Sequence, residues 1–174
     1  MQEFENPRKF THFKIHTQYS ICEGALKIDD LNTYCKENKI LSLGVSDTSN
    51  LCGALEFSEK IVKSGTQPII GTQIIFKFED QEGLLTLIAK NEQGYRNMIE
   101  LSSKSYLEND NLSKPHCKLN DLFDKNKGLI IMSGTINGLI GNLFNKGKFE
   151  LIEDIYKKLK NYYSDNFYIE IQRH

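Results

Sequence analysis

A lysine and a histidine near the start of the chain are the first residues whose spacing could do chemistry. Lys14 and His16 lie in residues 10–16, where Phe13 and Ile15 alternate with polar residues. This alternation predicts a strand with Lys14 and His16 on one face. Two histidines at that spacing commonly bind a metal, but a lysine ammonium has no lone pair to offer at neutral pH. The residues alone leave two interpretations of His16 open, as a metal ligand or as an ordinary polar residue of a strand.

A second candidate cluster follows the next predicted strand. Asp47 and Thr48 come directly after the largely apolar residues 41–46. An aspartate there can bind a metal, act as a general base, or cap the helix expected to begin near Leu51, and the cap is the preferred interpretation. Gln73, in a later predicted strand, carries a neutral amide that binds metals weakly. The sequence contains no phosphate-binding loop and no nucleophile-elbow motif.

The elements that must position these residues alternate between strand and helix patterns. Strand patterns cover residues 10–16, 41–46, 68–76, 84–89, 128–133 and 166–172, with a hairpin turn between the third and the fourth. Helix patterns cover residues 30–38, about 55–64, 92–106, 120–124, 138–145 and 149–163, and residues 107–118 are predicted as a loop. Alternation of this kind predicts an α/β fold with a largely parallel sheet, open or barrel-shaped. Functional residues of such folds gather at the carboxyl ends of the strands.

Composition narrows the class of protein. The 174 residues include 22 Lys+Arg and 23 Asp+Glu, for a formal net charge of -1, which excludes a strongly basic chain that wraps nucleic acid. No apolar run approaches the roughly 18–20 residues that span a bilayer. The four cysteines show no CxxC spacing, so we expect reduced thiols in a cytoplasmic protein of one domain, with Cys22 and Cys52 buried as small apolar residues.

Seven segments in chain order carry a family resemblance: FTHFKIHTQYS (10–20), VSDTSNLCG (45–53), PIIG (68–71), LIAKNEQGYRN (87–97), KSY (104–106), GLIIMSG (128–134) and FYIEIQRH (167–174). Together they resemble the N-terminal PHP (polymerase and histidinol phosphatase) domain of bacterial replicative DNA polymerase III alpha subunits. The resemblance implies that residues 1–174 form one PHP domain, an N-terminal fragment of a longer polymerase chain. It also implies a distorted (β/α)7 barrel, incomplete here because the chain stops at His174.

The resemblance also locates a metal site and shows how this chain departs from it. In metal-binding members, clustered ligands hold two or three divalent cations that activate water for phosphoester hydrolysis. Those positions correspond here to Lys14, His16, Glu23, Asp47, Thr48, Gln73 and Thr135. His16, Glu23 and Asp47 keep ligand-type side chains. The other four positions carry an ammonium, two hydroxyls and an amide where the family has two histidines, a glutamate and a cysteine. We expect Lys14 to pair with Asp47 or Glu23.

The loss of four ligands predicts a catalytically inactive domain without a bound cofactor. The resemblance implies a structural platform that docks the separate 3′–5′ proofreading exonuclease subunit and packs against the rest of the polymerase III alpha chain, with DNA and Mg²⁺ serving the parent polymerase. No membrane partner is expected. The alternative is an active metal-dependent phosphoesterase or 3′–5′ exonuclease using zinc or manganese. A free-standing truncated paralogue with an unrelated binding role is a third hypothesis.

Overall fold

The computed structural model describes residues 10–109 and 113–171. Its strands are β1 Ser42–Thr48, β2 Gln67–Phe78, β3 Gln81–Ala89, β4 His116–Lys118, β5 Leu129–Met132 and β6 Phe167–Tyr168. Its helices are α1 Ile28–Asn38, α2 Ala54–Val62, α3 Glu92–Leu107, α4 Leu119–Asp124, α5 Leu139–Asn145 and α6 Phe149–Tyr163, with a 3-10 turn over Ser164–Asn166. The predicted α/β class and the six predicted helices are confirmed. No helix in these ranges combines the length and the apolar character that crossing a membrane requires.

The strands form one mixed sheet rather than a largely parallel one. Its order is β1-β2-β3-β5-β6, and β4 pairs with the far end of β2. β1 is parallel to β2 and β5 is parallel to β6, whereas β3 runs antiparallel to both of its neighbours. The predicted hairpin is the cause, because β2 turns back into β3 through Glu79, whose φ of 55° lies in the left-handed region. Within the described residues the sheet does not close into a barrel.

One face of the sheet is covered by helices and the other is largely open. Side chains alternate along a strand, so Ile74 and Phe76 of β2 pack among the side chains of α3 to α6. Leu43 and Val45 of β1 pack in a smaller core beneath α1 and α2. The opposite side, called here the open face, contains an apolar hollow of about 530 Å³. The apolar hollow is lined chiefly by Phe13, Ile69, Ile88, Ile130, Met132 and Tyr168.

The first and last predicted strands are shorter than expected. Residues 10–16 join the sheet only through a single bridge between Ile15 and Val45, beside a hydrogen bond from the Gly44 amide to the His12 carbonyl. Gly44 permits this close approach, because a Cβ there would lie 2.8 Å from the Phe13 Cα. At the other end of the chain a strand is predicted over residues 166–172, but of its described residues only Phe167–Tyr168 form one. Gln172, the last residue of that prediction, lies outside the described residues.

Two further expectations from the sequence are wrong. Residues 116–118, predicted as loop, form β4, because the buried Cys117 pairs in register with the buried Phe76 of β2. Residues 110–112 of that predicted loop lie outside the described residues. Cys22 and Cys52 are exposed rather than buried, because each lies in a turn. The two cysteines with buried thiols are Cys35 and Cys117.

Candidate functional site

Asp47 lies at the carboxyl end of β1 and holds the loop that follows residue 16. Its Oδ1 accepts hydrogen bonds from the Thr17 amide and the Ser20 hydroxyl, each at 2.6 Å, and its Oδ2 accepts one from the Thr17 hydroxyl at 2.8 Å. The residue is 3% exposed. Its interpretation as a helix cap is wrong, because α2 begins at Ala54 after Gly53, without a side-chain cap. Both carboxylate oxygens of Asp47 are committed to the loop.

His16 lies beside this carboxylate in a shared hydrogen-bond network. Its Nδ1 is 3.3 Å from the hydroxyls of Ser20 and Thr48 and 3.5 Å from Glu23 Oε2. The Thr48 hydroxyl donates to the same Glu23 oxygen at 2.5 Å, and the Thr48 amide donates to the Ser20 hydroxyl at 3.1 Å. The structure thus brings together the three retained ligand-type side chains through hydroxyl groups. This network, called here the polar cluster, consists of His16, Thr17, Ser20, Glu23, Asp47 and Thr48.

Gln73 and Thr135 take separate positions. Gln73 pairs with Thr48 in the β1–β2 register and is 4% exposed. Its amide donates to the Thr86 hydroxyl at 2.9 Å. Thr135 lies in the loop after β5, half-buried, and lines a hollow of about 390 Å³ together with Glu170. In the described part of the chain, no hydrogen bond joins Thr135 to the polar cluster.

Lys14 forms an ion pair, but not with the expected partner. Its Nζ lies 2.8 Å from Oε1 of Glu170, and the two side chains are 20% and 8% exposed. The Glu170 amide donates to the Ser133 hydroxyl at 2.9 Å, which fixes the carboxylate beside the end of β5. Asp47 is not accessible to Lys14, because the loop already surrounds its carboxylate. The expected pairing with Asp47 or Glu23 is therefore wrong.

A tyrosine anchors the same loop to two helices. The Tyr19 hydroxyl donates to Glu56 of α2 at 2.6 Å, and Lys60 bridges Glu56 at 2.9 Å and Asp29 of α1 at 2.5 Å. The hydrogen bond to Glu56 raises the pKa of Tyr19 above its ordinary value, and the same bond lowers the pKa of Glu56. Gly53 permits this contact, because a Cβ there would lie 2.6 Å from the Tyr19 ring.

Several of these partners carry a weak signal in the sequence. Hydroxyl residues such as Thr17 and Ser20 are ordinary in a loop. The sequence therefore does not indicate that both donate hydrogen bonds to Asp47, which only the structure shows. Glu170 has a clearer signal, because it is a lone carboxylate between Ile169 and Ile171 in an apolar segment. Burial of such a residue requires a cationic partner or several hydrogen-bond donors.

The arrangement lacks the donors of a multinuclear metal site. Among the residues that the structure describes, no three His, Cys, Asp or Glu side chains gather closely enough to hold an ion. Asp47 accepts three hydrogen bonds, the Lys14 ammonium has no lone pair, and Gln73 donates an N–H group to Thr86 and keeps only a neutral amide oxygen, which is a weak ligand. The residues present do not fit two or three divalent cations.

The profile of the PHP domain family matches residues 12–174. The chain belongs to the PHP domain family. This PHP domain is 35% identical over 173 residues to the DNA polymerase III subunit alpha of Caulobacter vibrioides and 35% identical over 177 residues to that of Borreliella burgdorferi. Each match covers 95% of this chain and 15% of the relative, so the chain spans about one seventh of their length. A solved structure described as a metal-dependent phosphoesterase from Bifidobacterium adolescentis is 16% identical with a TM-score of 0.42, covering 87% of this chain and 56% of that one.

Proposed function

We propose that this PHP domain is a catalytically inactive structural module of a bacterial replicative DNA polymerase III alpha subunit. The observation that carries the proposal is the state of the family's ligand positions. Lys14 and Gln73 direct N–H groups to Glu170 and Thr86, while Thr48 donates to Glu23. The Lys14 ammonium has no lone pair for a cation, and the Thr48 hydroxyl and the Gln73 amide offer only neutral oxygens where the family has histidine and glutamate, so these positions have lost strong metal ligands.

The way two buried carboxylates, Glu170 and Asp47, are neutralised supports the same proposal. The Lys14 ammonium supplies a fixed positive charge beside a nearly buried Glu170 carboxylate. A buried carboxylate must be paired with a cation or hydrogen-bonded, and either a divalent metal ion or an ammonium group can be that cation. Asp47 meets the need with three N–H and O–H donors. The domain therefore needs no metal to neutralise these carboxylates.

The platform role extends the proposal to protein partners. We propose that the domain docks the 3′–5′ proofreading exonuclease subunit and packs against the rest of the alpha chain. Exposed apolar side chains beside the 390 Å³ hollow support a role in protein contact, since Ile136, Phe144 and Ile169 are 61%, 62% and 66% exposed. Similarity to alpha subunits over 95% of the chain supports the polymerase context.

Metal content and hydrolysis test the inactive site. We expect the purified chain to carry far less than one zinc or manganese ion per molecule, and to release no nucleotides from a DNA 3′ end or phosphate from a model phosphomonoester with added Mn²⁺. The matched control is the reversion variant Lys14→His, Thr48→His, Gln73→Glu and Thr135→Cys, which restores the family's donors and should bind metal. Two or more ions per wild-type molecule, with cleavage lost in His16→Ala, would establish the active phosphoesterase instead.

A titration tests the docking proposal separately. The full-length alpha subunit that contains this domain is mixed with its proofreading exonuclease subunit and followed by analytical ultracentrifugation. We expect a one-to-one complex that weakens when Phe144 is replaced by Glu, whereas Glu at the exposed Leu55 of α2 should have no effect. If the complex tolerates Phe144→Glu, the docking surface lies elsewhere on the domain. If no complex forms, the proposed platform role is wrong.

A further inference from the structure

Asn137 and Gly138, in the turn between β5 and α5, form the one Asn-Gly dipeptide of the chain. An asparagine side chain can react with the backbone of the residue that follows it. The amide nitrogen of that residue attacks the carboxamide carbon and closes a five-membered ring. Glycine favours the attack, because it has no Cβ to shield the nitrogen and it adopts the required backbone angles easily. This dipeptide is therefore the pair of residues in the chain best suited to spontaneous deamidation.

The turn leaves the reacting carboxamide accessible. Asn137 is exposed, and its neighbour Ile136 is 61% exposed. Within the described ranges, no hydrogen bond holds the Asn137 side chain in one orientation. The side chain can therefore rotate about its two torsions and bring its carboxamide carbon to the nitrogen of Gly138.

A backbone hydrogen bond restrains the attacking nitrogen. The Gly138 amide donates to the Thr135 carbonyl at 2.9 Å, which closes the turn. The nitrogen must give up this bond before it attacks, so the reaction proceeds from the open form of the turn. A single hydrogen bond in an exposed turn has a small net stabilisation, and local opening of such a turn is frequent. The fold therefore slows the reaction without preventing it.

We propose that Asn137 is a site of self-modification, converted to aspartate and isoaspartate through a succinimide formed with Gly138. In the first step the Gly138 nitrogen bonds to Cγ of Asn137, the bond from Cγ to the side-chain nitrogen breaks, and ammonia leaves with the amide proton. In the second step water adds to one of the two ring carbonyls and opens the ring. Addition at Cγ gives aspartate, and addition at the main-chain carbonyl gives isoaspartate, whose backbone runs through Cβ and Cγ. The proposal goes beyond the platform role and does not depend on it.

The two products differ in their effect on the fold, because the backbone after the dipeptide packs closely on β3. A Cβ on Gly138 would lie 2.9 Å from the Leu84 carbonyl oxygen. A Cβ on Gly83 would lie 2.2 Å from the Leu139 nitrogen. Isoaspartate adds one carbon, about 1.5 Å of chain, directly before this contact. Aspartate adds the same negative charge without lengthening the backbone.

Helix α5 carries the change into the core, because it begins at Leu139, directly after the dipeptide. Its side chains Leu139, Ile140 and Leu143 are buried in the main core. A shift of Gly138 away from β3 draws these side chains out of closely packed positions, which costs stability. Isoaspartate should therefore destabilise the domain, whereas aspartate should not.

Ageing of the purified chain in mildly alkaline buffer tests the site by mass spectrometry. Trypsin releases residues 128–146, which contain Asn137 together with Asn142 and Asn145 as internal controls. We expect replacement of the side-chain NH₂ by OH at Asn137 and not at the two controls, with isoaspartate as the larger product. The reaction should be about fivefold slower in the folded chain than in urea, the factor that one net hydrogen bond gives. Asn137→Gln should stay unmodified, because its ring closure is much slower.

The variant Asn137→Asp separates the added charge from the lengthened backbone. We expect it to unfold at the same urea concentration as the wild type. The acidic fraction of the aged chain, separated by anion exchange and rich in isoaspartate, should have a folded-to-unfolded ratio about tenfold lower. Modification spread over all three asparagines, or none at Asn137 in the folded chain while the urea sample reacts, would overturn the site. Equal stability of the acidic fraction and Asn137→Asp would overturn the coupling to α5.

Discussion

The polar cluster and the apolar hollow lie toward opposite ends of β1 and β2 and hold their side chains in different ways. In the polar cluster, Asp47 alone accepts three hydrogen bonds of 2.6 to 2.8 Å, and each donor has one favoured direction. In the apolar hollow, Ile130 and Met132 face about 530 Å³ of open space without directional contacts. Substitutions in the polar cluster should therefore destabilise the fold more than substitutions around the hollow. In this chain the polar cluster is part of what holds the loop after residue 16 to the end of β1.

The largest effect is expected from Asp47→Ala. Removal of the carboxylate leaves the Thr17 amide and the hydroxyls of Thr17 and Ser20 without an acceptor, and we expect a loss of about 4 kcal/mol in the free energy of unfolding. Urea denaturation followed by circular dichroism measures it. The control is Asp47→Asn, which keeps one acceptor oxygen and should lose about half as much. A loss below 1 kcal/mol in Asp47→Ala would erase the contrast between the two regions.

Two methionines sharpen the contrast, since one lies in the closed core and one in the apolar hollow. Met98 of α3 is fully buried, so Met98→Ala should cost about 3 kcal/mol by leaving a cavity. Met132 faces open space on one side, so Met132→Ala should cost about 1 kcal/mol. The same urea experiment measures both. Equal losses would mean that the hollow is closed in solution.

The ion pair between Lys14 and Glu170 should contribute an intermediate amount. Lys14→Met keeps the aliphatic stem but leaves a carboxylate that is 8% exposed without its cation, which we expect to cost about 2 kcal/mol. Arg96→Ala is the surface control, because its pair with Glu92 has both side chains more than 60% exposed and should be worth less than about 0.5 kcal/mol. Similar losses in the two variants would place the Lys14 pair among ordinary surface pairs.

The smallest effect concerns alkaline pH and arises on the helix-covered side. Burial raises the pKa of the Cys117 thiol from 9.0 to about 12, and the nearby Asp121 carboxylate adds to this rise. The unfolded thiol ionises first, so the contribution of Cys117 is complete below pH 9 and is lost as pH rises toward 12. Cys117→Ala should flatten the decline of the melting temperature above pH 9. Part of the decline should remain, because burial also raises the pKa of Tyr163.

Elements with strong local patterns were predictable from the sequence. α3 and α6 were predicted within one residue of their observed ends, because their apolar residues recur at helical spacing. The hairpin of β2 and β3 was also predictable, but its consequence for strand direction was not. β4 was missed because three residues cannot show a period, and its existence depends on the buried pair of Cys117 and Phe76.

The positions of the candidate site were predictable, but most of its contacts were not. The resemblance located Lys14, Thr48 and Gln73, and their side-chain types already indicated that cationic or neutral groups had replaced strong metal ligands. Partner choice depends on contacts between residues far apart in the chain, such as Thr17 with Asp47 or Gln73 with Thr86. The preferred interpretation of Asp47 as a cap failed because local spacing cannot reveal that a loop 30 residues earlier uses the same carboxylate.

The contact between Lys14 and Glu170 also indicates which contacts of the domain form last during folding. It joins residues 156 positions apart, one before the first helix and one after the last. A contact of such long range forms after the local elements, because closing the intervening loop costs entropy until the strands between have assembled. On a ribosome, the amino-terminal segment must wait until residue 170 has emerged before its lysine has a partner. Unfolding should begin by release of the same contact, so its loss in Lys14→Met should accelerate unfolding and leave the folding rate nearly unchanged.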